Sequence, residues 1–215
     1  MKKYIDYPNR EDWLKGRENT LGASEVASIM WKGFQNAVEI WKEKVGVKKH
    51  TESKGKSRID YGAEAEEYLR ALFALKNKKK YKVEYFPYRT YFNDKYGFLH
   101  ATLDGELTNL ADGSKGIWEC KTVFIISRRE LDEWDGKLPD KNYIQVCDQL
   151  GVMNYDFAVV TVELIFADGN SEIRNYTIER NEQVEKDIRL VEKEAVDFWT
   201  KYVIPKKKPP IKMTL

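Results

Sequence analysis

The amino-acid sequence predicts an α/β fold in which a mixed central β-sheet is flanked by helices. Apolar residues recur at helical spacing through the first third of the chain. Runs of aromatic and β-branched residues follow between residues 83 and 123, and such runs favour strands. A helical pattern, two further strand-like runs and a last helical pattern complete the chain. This order of elements is typical of an α/β domain.

Four helices are predicted in the first third of the chain. The first lies near residues 9–16, and a short helix over 25–30 has Ser24 as a candidate N-cap. The third covers about residues 36–45, where apolar side chains recur at helical spacing. The fourth, over 59–75, carries a single stripe of apolar and aromatic side chains, which indicates a long amphipathic helix.

Five strands are predicted from their β-branched and aromatic content. Two of the turns between them, at 111–114 and at Asp168–Gly169, have the residues that tight hairpin turns require. Helices are expected at about 143–153 and 181–202. The predicted strands cover residues 83–92, 97–107, 116–123, 157–166 and 172–178.

The length of 215 residues predicts one domain, over 1–204, followed by a basic Pro/Lys-rich tail at 205–215. No apolar stretch approaches ~18 residues, and the N-terminus turns polar early, so we expect neither a membrane span nor a secretory signal. The two cysteines, Cys120 and Cys147, are too few for a disulfide scaffold or a four-ligand zinc site. We expect free thiols in a reducing compartment.

The net charge of +2, from 37 basic and 35 acidic residues, gives little overall attraction to nucleic acid. Lysines nevertheless cluster at residues 48–58, 76–82 and 201–212. Clustered lysines can follow a phosphate backbone. The alternative for each cluster is a solvated loop or tail.

Three charged residues lie within strand-like apolar segments. Asp104 stands at the end of one predicted strand, and Glu119 and Lys121 are two apart on the next, so they point to the same face. A short antiparallel connection would bring Asp104 beside Glu119. Paired carboxylates suit Mg²⁺ or Mn²⁺, and a nearby lysine could orient a water or stabilise charge on a phosphate. The alternative for Glu119 and Lys121 alone is an ordinary surface pair.

With its neighbours, this pattern resembles the PD-(D/E)XK nuclease core. Six segments in the same order are similar to those of the lambda exonuclease and YqaJ-like phage recombination exonucleases. One departure is Leu103, which stands where proline is usual before the aspartate. In chain order the segments are LGASEVASIM at 21–30, NAVEIWKEKVG at 36–46, Gly62 to Glu66 with Arg70, Ala101 to Gly105, Glu119 to Thr122 and Gln145 to Leu150.

The resemblance implies a role for each matching residue of the hydrolytic centre. Asp104 and Glu119 would be direct metal ligands, and Glu66 would complete the metal site. Lys121 would be the catalytic lysine, and Gln145 would border the catalytic pocket. Two alternatives stay open: Glu64 or Glu67 could replace Glu66, and one of Gln145 and Gln149 could be purely structural.

The resemblance also implies a site for the terminal 5′-phosphate of DNA. Arg17 and Ser24 would hold the phosphate, and the hydroxyl of Thr102 would assist them. Ser24 could instead serve only as a helix cap, and Arg17 could be an ordinary surface residue.

The implied activity is Mg²⁺-dependent (or Mn²⁺-dependent) 5′→3′ digestion of double-stranded DNA ends, which leaves 3′ single strands for recombination by annealing. The family further implies a ring-shaped homo-oligomer, commonly a trimer, a single-strand annealing protein as partner, and the cytoplasm of a bacterial host as location. An endonuclease or repair nuclease on the same core, without 5′-end dependence, is the first alternative. A non-catalytic DNA-binding module is the second.

Overall fold

A computed structural model describes residues 3–31, 37–48 and 56–210. Its strands are β1 (Tyr4–Asp6), β2 (Leu21–Gly22), β3 (Tyr81–Glu84), β4 (Arg89–Phe92), β5 (Leu99–Ala101), β6 (Gly105–Asn109), β7 (Lys115–Ile125), β8 (Phe157–Phe166) and β9 (Ser171–Glu179). Its helices are α1 (Arg10–Arg17), α2 (Ala23–Met30), α3 (Ala37–Lys44), α4 (Lys56–Asn77), α5 (Arg128–Asp132), α6 (Asp140–Met153) and α7 (Glu182–Phe198), which continues into a π-helical turn over Trp199–Val203.

The strands form two mixed sheets flanked by helices, so the predicted α/β class is confirmed, but with two sheets in place of one. The larger sheet has the order β3-β6-β7-β8-β9, with a parallel pairing between β7 and β8 and antiparallel pairings elsewhere. The smaller sheet has the order β1-β4-β5-β2, with only the β2–β5 pair parallel.

The second sheet arises because two predicted strands each divide in two. The predicted strand over 83–92 is interrupted between β3 and β4, where Tyr88 has a φ of 57° and turns the backbone out of the extended region. The predicted strand over 97–107 is interrupted between β5 and β6. In both cases the first and second halves pair with different sheets.

Both predicted hairpin turns are confirmed. Gly113, with a φ of 76°, lies in the turn between β6 and β7, and Gly169, with a φ of 84°, lies in the turn between β8 and β9. These left-handed conformations favour glycine because they cost it no Cβ clash. The β6–β7 turn is what sets the register between the two strands that carry the charged residues singled out above.

Ser24 is not the cap of its helix, and that expectation was wrong. Helix α2 begins two residues earlier than predicted, at Ala23, with Gly22 at the cap position, where the Glu25 carboxylate accepts the Gly22 N–H at 2.9 Å. Ser24 lies exposed in the first turn. Its side chain is therefore available to a ligand at the helix N-terminus.

Strand β7 lies within the hydrophobic core and is covered on both faces of the sheet. The indole of Trp118 is fully buried between helix α4 and the sheet, and its N–H donates to the Thr161 hydroxyl at 2.8 Å. On the other side of the sheet, α6 packs between the strands and helices α2 and α7. The centre of β7 is thus held by packing on both faces.

Both cysteines are free, as predicted. The predicted tail is described only to residue 210; the rest of it, and most of the predicted lysine cluster at 48–58, lie outside the described residues. Within the described part of the chain, none of the helices combines the length and apolar character needed to cross a bilayer.

Candidate active site

Asp104 and Glu119 lie side by side, as the short antiparallel connection predicted. The β6–β7 register pairs Gly105 with Trp118, which sets Asp104 opposite Glu119. The Asp104 side chain reaches across to the facing strand, where its Oδ2 accepts the Cys120 N–H at 2.8 Å. Asp104 is half-buried and Glu119 is 4% exposed. Two acidic side chains therefore share a pocket with little water.

Lys121 lies on the same face of β7 as Glu119. Its Nζ donates to Glu119 Oε1 at 2.6 Å and to Gln145 Oε1 at 3.2 Å. The spacing of two along a strand is what turns both side chains to one side. The ammonium group is thus fixed at the edge of the carboxylate pocket.

Helix α6 contributes two amides to the Glu119 carboxylate. Gln145 Nε2 donates to Oε1 at 2.7 Å, and Gln149 Nε2 donates to Oε2 at 2.6 Å. Gln149 also approaches the Thr102 carbonyl at 3.4 Å. Both glutamines therefore contact the site, whereas the sequence prediction assigned only Gln145 to it.

Helix α4 contributes Glu66, which is half-buried, while its neighbours Glu64 and Glu67 are exposed. Glu66 Oε1 accepts from Arg70 at 2.8 Å, and the same Arg70 nitrogen donates to the Asp104 carbonyl at 3.0 Å. Arg70 thus ties the helix to the strand end that carries Asp104. Burial distinguishes Glu66 from the other two carboxylates of this acidic run.

The electrostatics of the pocket are those of crowded carboxylates. Removal from water raises the pKa of Asp104 well above its usual value, and the charges of Glu119 and Glu66 raise it further. Burial also raises the pKa of Glu66, against the opposing effect of Arg70. Burial alone would lower the pKa of Lys121, but the charges of Glu119 and Asp104 outweigh it, so the pKa is raised. A further positive charge would relieve this repulsion.

The donor set fits a hard divalent cation, although the residues that the structure describes form no preassembled cage. Within the described residues, no three His, Cys, Asp or Glu side chains form a group that could hold a metal ion. The chemistry of the site still matches: carboxylate oxygens of Asp104, Glu119 and Glu66 are the ligand type that Mg²⁺ and Mn²⁺ prefer, with waters completing the shell. The mutual repulsion described above is the observation that supports the fit.

The three residues predicted to bind a 5′-phosphate lie in segments next to the β2–β5 pair of the smaller sheet: Arg17 ends α1, Ser24 is in the first turn of α2, and Thr102 follows β5. This parallel pair sets Gly22 beside His100, two residues before Thr102. Arg17 Nε donates to His100 Nε2 at 3.0 Å, and a Cβ on Gly22 would come within 2.9 Å of that imidazole nitrogen. The glycine thus leaves room for Arg17 and His100 to meet at the start of α2.

The charge around Arg17 is positive and only partly balanced. Its hydrogen-bond acceptor, His100, is 1% exposed, and burial, with the charges of Arg17 and Lys44, lowers the pKa of His100 well below its usual value, so the imidazole is neutral. Glu25 forms an ion pair with Lys44 at 2.8 Å. Burial lowers the pKa of Arg17, an effect that Glu25 opposes. Two cations therefore face one carboxylate in this cluster.

Sequence reasoning missed three contributors to these sites. The bond from Gln149 to Glu119 could have been predicted, because Gln149 follows Gln145 by four residues and both side chains therefore lie on one helix face. The bridge from Arg70 to the Asp104 carbonyl and the acceptor role of His100 depend on long-range contacts that no local pattern signals.

Comparison with known proteins matches residues 12–156 to the family described as the YqaJ-like viral recombinase domain. This span contains the six segments that carried the predicted resemblance, which is thereby confirmed. Among curated proteins, none matches the chain.

Solved structures with the same fold include LHK-Exo in complex with dAMP, with 17% identity, a TM-score of 0.68 and coverage of 92% of this chain and 94% of that one. The alkaline exonuclease LHK-Exo from Laribacter hongkongensis has 16% identity, a TM-score of 0.60 and coverage of 92% and 97%. A phage-related exonuclease from Haemophilus somnus 129PT has 14% identity, a TM-score of 0.53 and coverage of 87% and 96%. At such identities the similarity concerns the fold, and it confirms the predicted fold class.

Proposed function

This chain belongs to the family of YqaJ-like viral recombinase domains, and from that premise we propose that it is a metal-dependent exonuclease that digests double-stranded DNA from 5′ ends. The observation that carries the proposal is the convergence of Asp104, Glu119 and Lys121 in one pocket. The structurally similar proteins from L. hongkongensis and H. somnus are themselves described as exonucleases. The enzyme class is therefore a deoxyribonuclease that hydrolyses phosphodiester bonds.

In the proposed mechanism, Asp104 and Glu119 would hold the metal, and Glu66 would support it. A bound Mg²⁺ or Mn²⁺ would polarise the scissile phosphate and make a water more acidic. Gln145 and Gln149 fix the Glu119 carboxylate so that its oxygens keep their direction. Arg70 fixes the backbone at Asp104.

Lys121 supplies a positive charge in addition to that of the metal ion. Because the pKa of Lys121 is raised, its Nζ keeps its proton at neutral pH and acts as a hydrogen-bond donor rather than as a base. Its bonds to Glu119 and Gln145 orient it toward the pocket. From there it positions the attacking water and stabilises charge that develops on the phosphate.

A 5′-phosphate binds at Arg17 in this proposal. The positive excess around Arg17 and Lys44 favours an anion, and the N-terminus of α2 adds the positive end of the helix dipole and the exposed hydroxyl of Ser24. Thr102 lies between this cluster and Asp104 along the chain. The end of one DNA strand would thus be held next to the hydrolytic centre.

The products are mononucleotides and duplexes with 3′ single strands, which a single-strand annealing protein takes up in phage-type recombination inside the bacterial host cytoplasm. LHK-Exo has been crystallised with dAMP, a mononucleotide of the kind expected here. We propose a ring-shaped homo-oligomer, of which a trimer is the simplest form, with a basic channel that reconciles DNA binding with a net charge of +2. Mass measurement in solution tests this assembly.

The test of the activity uses a linear duplex labelled at one end, with a 5′-phosphate or a 5′-hydroxyl, incubated in Mg²⁺ or in EDTA. We expect degradation only with Mg²⁺, faster from the phosphorylated end. Glu119→Gln and Lys121→Met should each reduce the rate by about 10²–10⁴-fold. Lys193→Met, which changes an exposed lysine of α7, is the matched control and should keep full activity.

Three outcomes would contradict the proposal in different ways. Cleavage of covalently closed circles would favour the endonuclease alternative. Binding without degradation would favour the non-catalytic module. Equal rates from both kinds of end, or an unchanged preference in Arg17→Met, would remove the 5′-phosphate site while leaving the nuclease intact.

A further inference from the structure

Four exposed residues between β3 and β4 have no part in the mechanism above; we call residues 85–88 the aromatic loop. Three of them are large and aromatic: Tyr85 is 42% exposed, Phe86 36% and Tyr88 38%. Solvent-exposed aromatic side chains in one short loop leave apolar surface in water, which is typical of a binding surface.

The aromatic loop begins beside the carboxylate pocket. The β3–β6 pairing ends with Glu84 opposite Glu106, so the next two positions of the chain continue toward Gly105 and Asp104. Arg70 makes the contact direct: its guanidinium lies 3.7 Å from the centroid of the Tyr85 ring and also binds the Asp104 carbonyl. One face of the Tyr85 ring is therefore backed by a cation, and the ring remains substantially open to solvent.

The far end of the aromatic loop is linked to the proposed phosphate site through Trp13. The Tyr88 ring packs on the Trp13 ring with centroids 6.2 Å apart, and the Arg17 guanidinium lies 4.3 Å from the Trp13 centroid. The aromatic loop thus spans the surface between Arg17 and Asp104. Any strand held at both places would pass over it.

The aromatic loop is also held in place before any ligand arrives. Tyr88 keeps a φ of 57°, a conformation that costs a bulky residue about 1–3 kcal/mol, and its carbonyl accepts the Tyr7 N–H at 3.2 Å. Arg89, fixed by two bonds to Asp6 at 2.6 and 2.8 Å, lies 4.0 Å from the Phe86 centroid. Rings that are already ordered lose little freedom on binding.

We propose that the aromatic loop binds unpaired nucleobases of the DNA substrate by stacking, with Tyr85 as the main contact. The inference rests on the proposed nuclease function, because it places the bases by reference to Arg17 and Asp104. Alternating aromatic rings and guanidinium groups are the surface that single-stranded nucleic acid prefers, since every base offers a π-face. Paired bases keep those faces inside the helix, so the aromatic loop would select strand ends that have opened.

The experiment measures binding in EDTA, where no hydrolysis occurs, of duplexes that end either blunt or in a short 5′-phosphorylated single strand. A 2-aminopurine in the unpaired segment reports stacking by loss of its fluorescence. We expect Tyr85→Leu to weaken binding of the single-stranded end by about 5- to 100-fold and to restore the fluorescence. Tyr85→Phe should bind like the wild type because its ring is kept, and blunt ends should respond less.

Tyr68→Leu is the matched control, because Tyr68 is 75% exposed and lies about 200° around α4 from Glu66, on the other side of the helix. A substrate with abasic sites in the unpaired segment should lose affinity for the wild type and show no further loss with Tyr85→Leu. Unchanged binding in Tyr85→Leu would overturn the inference. So would a loss of affinity in Tyr85→Leu that is as large with the abasic substrate as with the substrate that has bases. If the wild type binds these ends but degrades no DNA in Mg²⁺, the proposed function fails while the stacking surface stands.

Discussion

The two glutamines of α6 allow the role of burial in this site to be measured directly. Gln145 and Gln149 are the same residue type and donate to the two oxygens of the same carboxylate, Glu119, at 2.7 and 2.6 Å. They differ in burial: Gln149 is 1% exposed, whereas Gln145 is half-buried. Replacing each with leucine removes one amide donor from Glu119 in two different environments. Each change also removes one longer bond, from Lys121 to Gln145 at 3.2 Å or from Gln149 to the Thr102 carbonyl at 3.4 Å.

The magnitude follows from what replaces the lost donor. A hydrogen bond to a charged group contributes about 1.5–3 kcal/mol, and water cannot easily reach the buried oxygen that Gln149 serves. Leucine also removes Gln149 Oε1, a buried acceptor that has no partner among the described residues, which offsets part of the loss. We therefore expect Gln149→Leu to cost about 1–2 kcal/mol, or a fall in Tm of roughly 2–8 °C.

The assay is thermal unfolding in EDTA, with urea unfolding as a check on the free energy. Gln145→Leu should change Tm by less than about 2 °C, because Lys121 still donates to the same oxygen, Glu119 Oε1, at 2.6 Å. An equal fall in both variants, or none in Gln149→Leu, would refute the reasoning that the buried bond is the stronger constraint on Glu119.

Three further predictions concern other parts of the molecule. Burial, followed by the charge of Glu192, raises the pKa of Asp148 to about 8, so between about pH 4 and 8 the folded state keeps a proton that the unfolded state loses, and the wild type loses stability as the pH rises. Asp148→Asn, which carries no ionisable carboxyl, should therefore have a higher Tm than the wild type at pH 8 but not at pH 4. Gly116→Ala should lower stability by about 1–3 kcal/mol in urea unfolding, because its Cβ would lie 2.4 Å from the Phe157 ring. Mg²⁺ at 100 times its Kd should stabilise the wild type by about 2.7 kcal/mol in a thermal shift, and Glu119→Gln should remove most of this effect.

Each of these has its own contrary result. A constant difference between Asp148→Asn and the wild type at every pH would show that the carboxyl is not titrating in this range. Gly97→Ala, which meets no atom within 4 Å, is the control for Gly116→Ala and should be neutral. A Mg²⁺ shift that survives in Glu119→Gln would place the cation elsewhere.

Most helices and the hairpins of the larger sheet could be predicted because their signals are local. The i, i+2 spacing of Glu119 and Lys121 and the turn before β7 were enough to expect Asp104 nearby. The division of the predicted strand over 83–92 had one local signal, Pro87, because proline is unfavourable inside a central strand. The aromatic residues around it favoured an unbroken strand, and the left-handed conformation of Tyr88 has no signal of its own in the sequence. The short strands β1 and β2 exist only through pairing with distant strands, which composition does not report.

The candidate site was predictable to the extent that its residues recur at fixed spacings. The metal-binding roles of Glu66, Asp104 and Glu119 remain predictions, and so do the phosphate-binding roles of Arg17, Ser24 and Thr102. The sequence could not indicate contacts between residues that are far apart along the chain. His100 meets Arg17 across 83 residues, and such a contact is specified by the sheet that forms between them.

The short link between β5 and β6 fixes the distance between two parts of the molecule. β5 belongs to the sheet that carries His100, and β6 belongs to the sheet that presents Asp104, so only residues 101–103 separate the two anchoring positions. Lengthening this link by one residue would shift one anchor relative to the other by up to ~3.3 Å. Under the proposed function, this three-residue link, which contains Thr102 of the proposed phosphate site, fixes how far the held strand end lies from the hydrolytic centre.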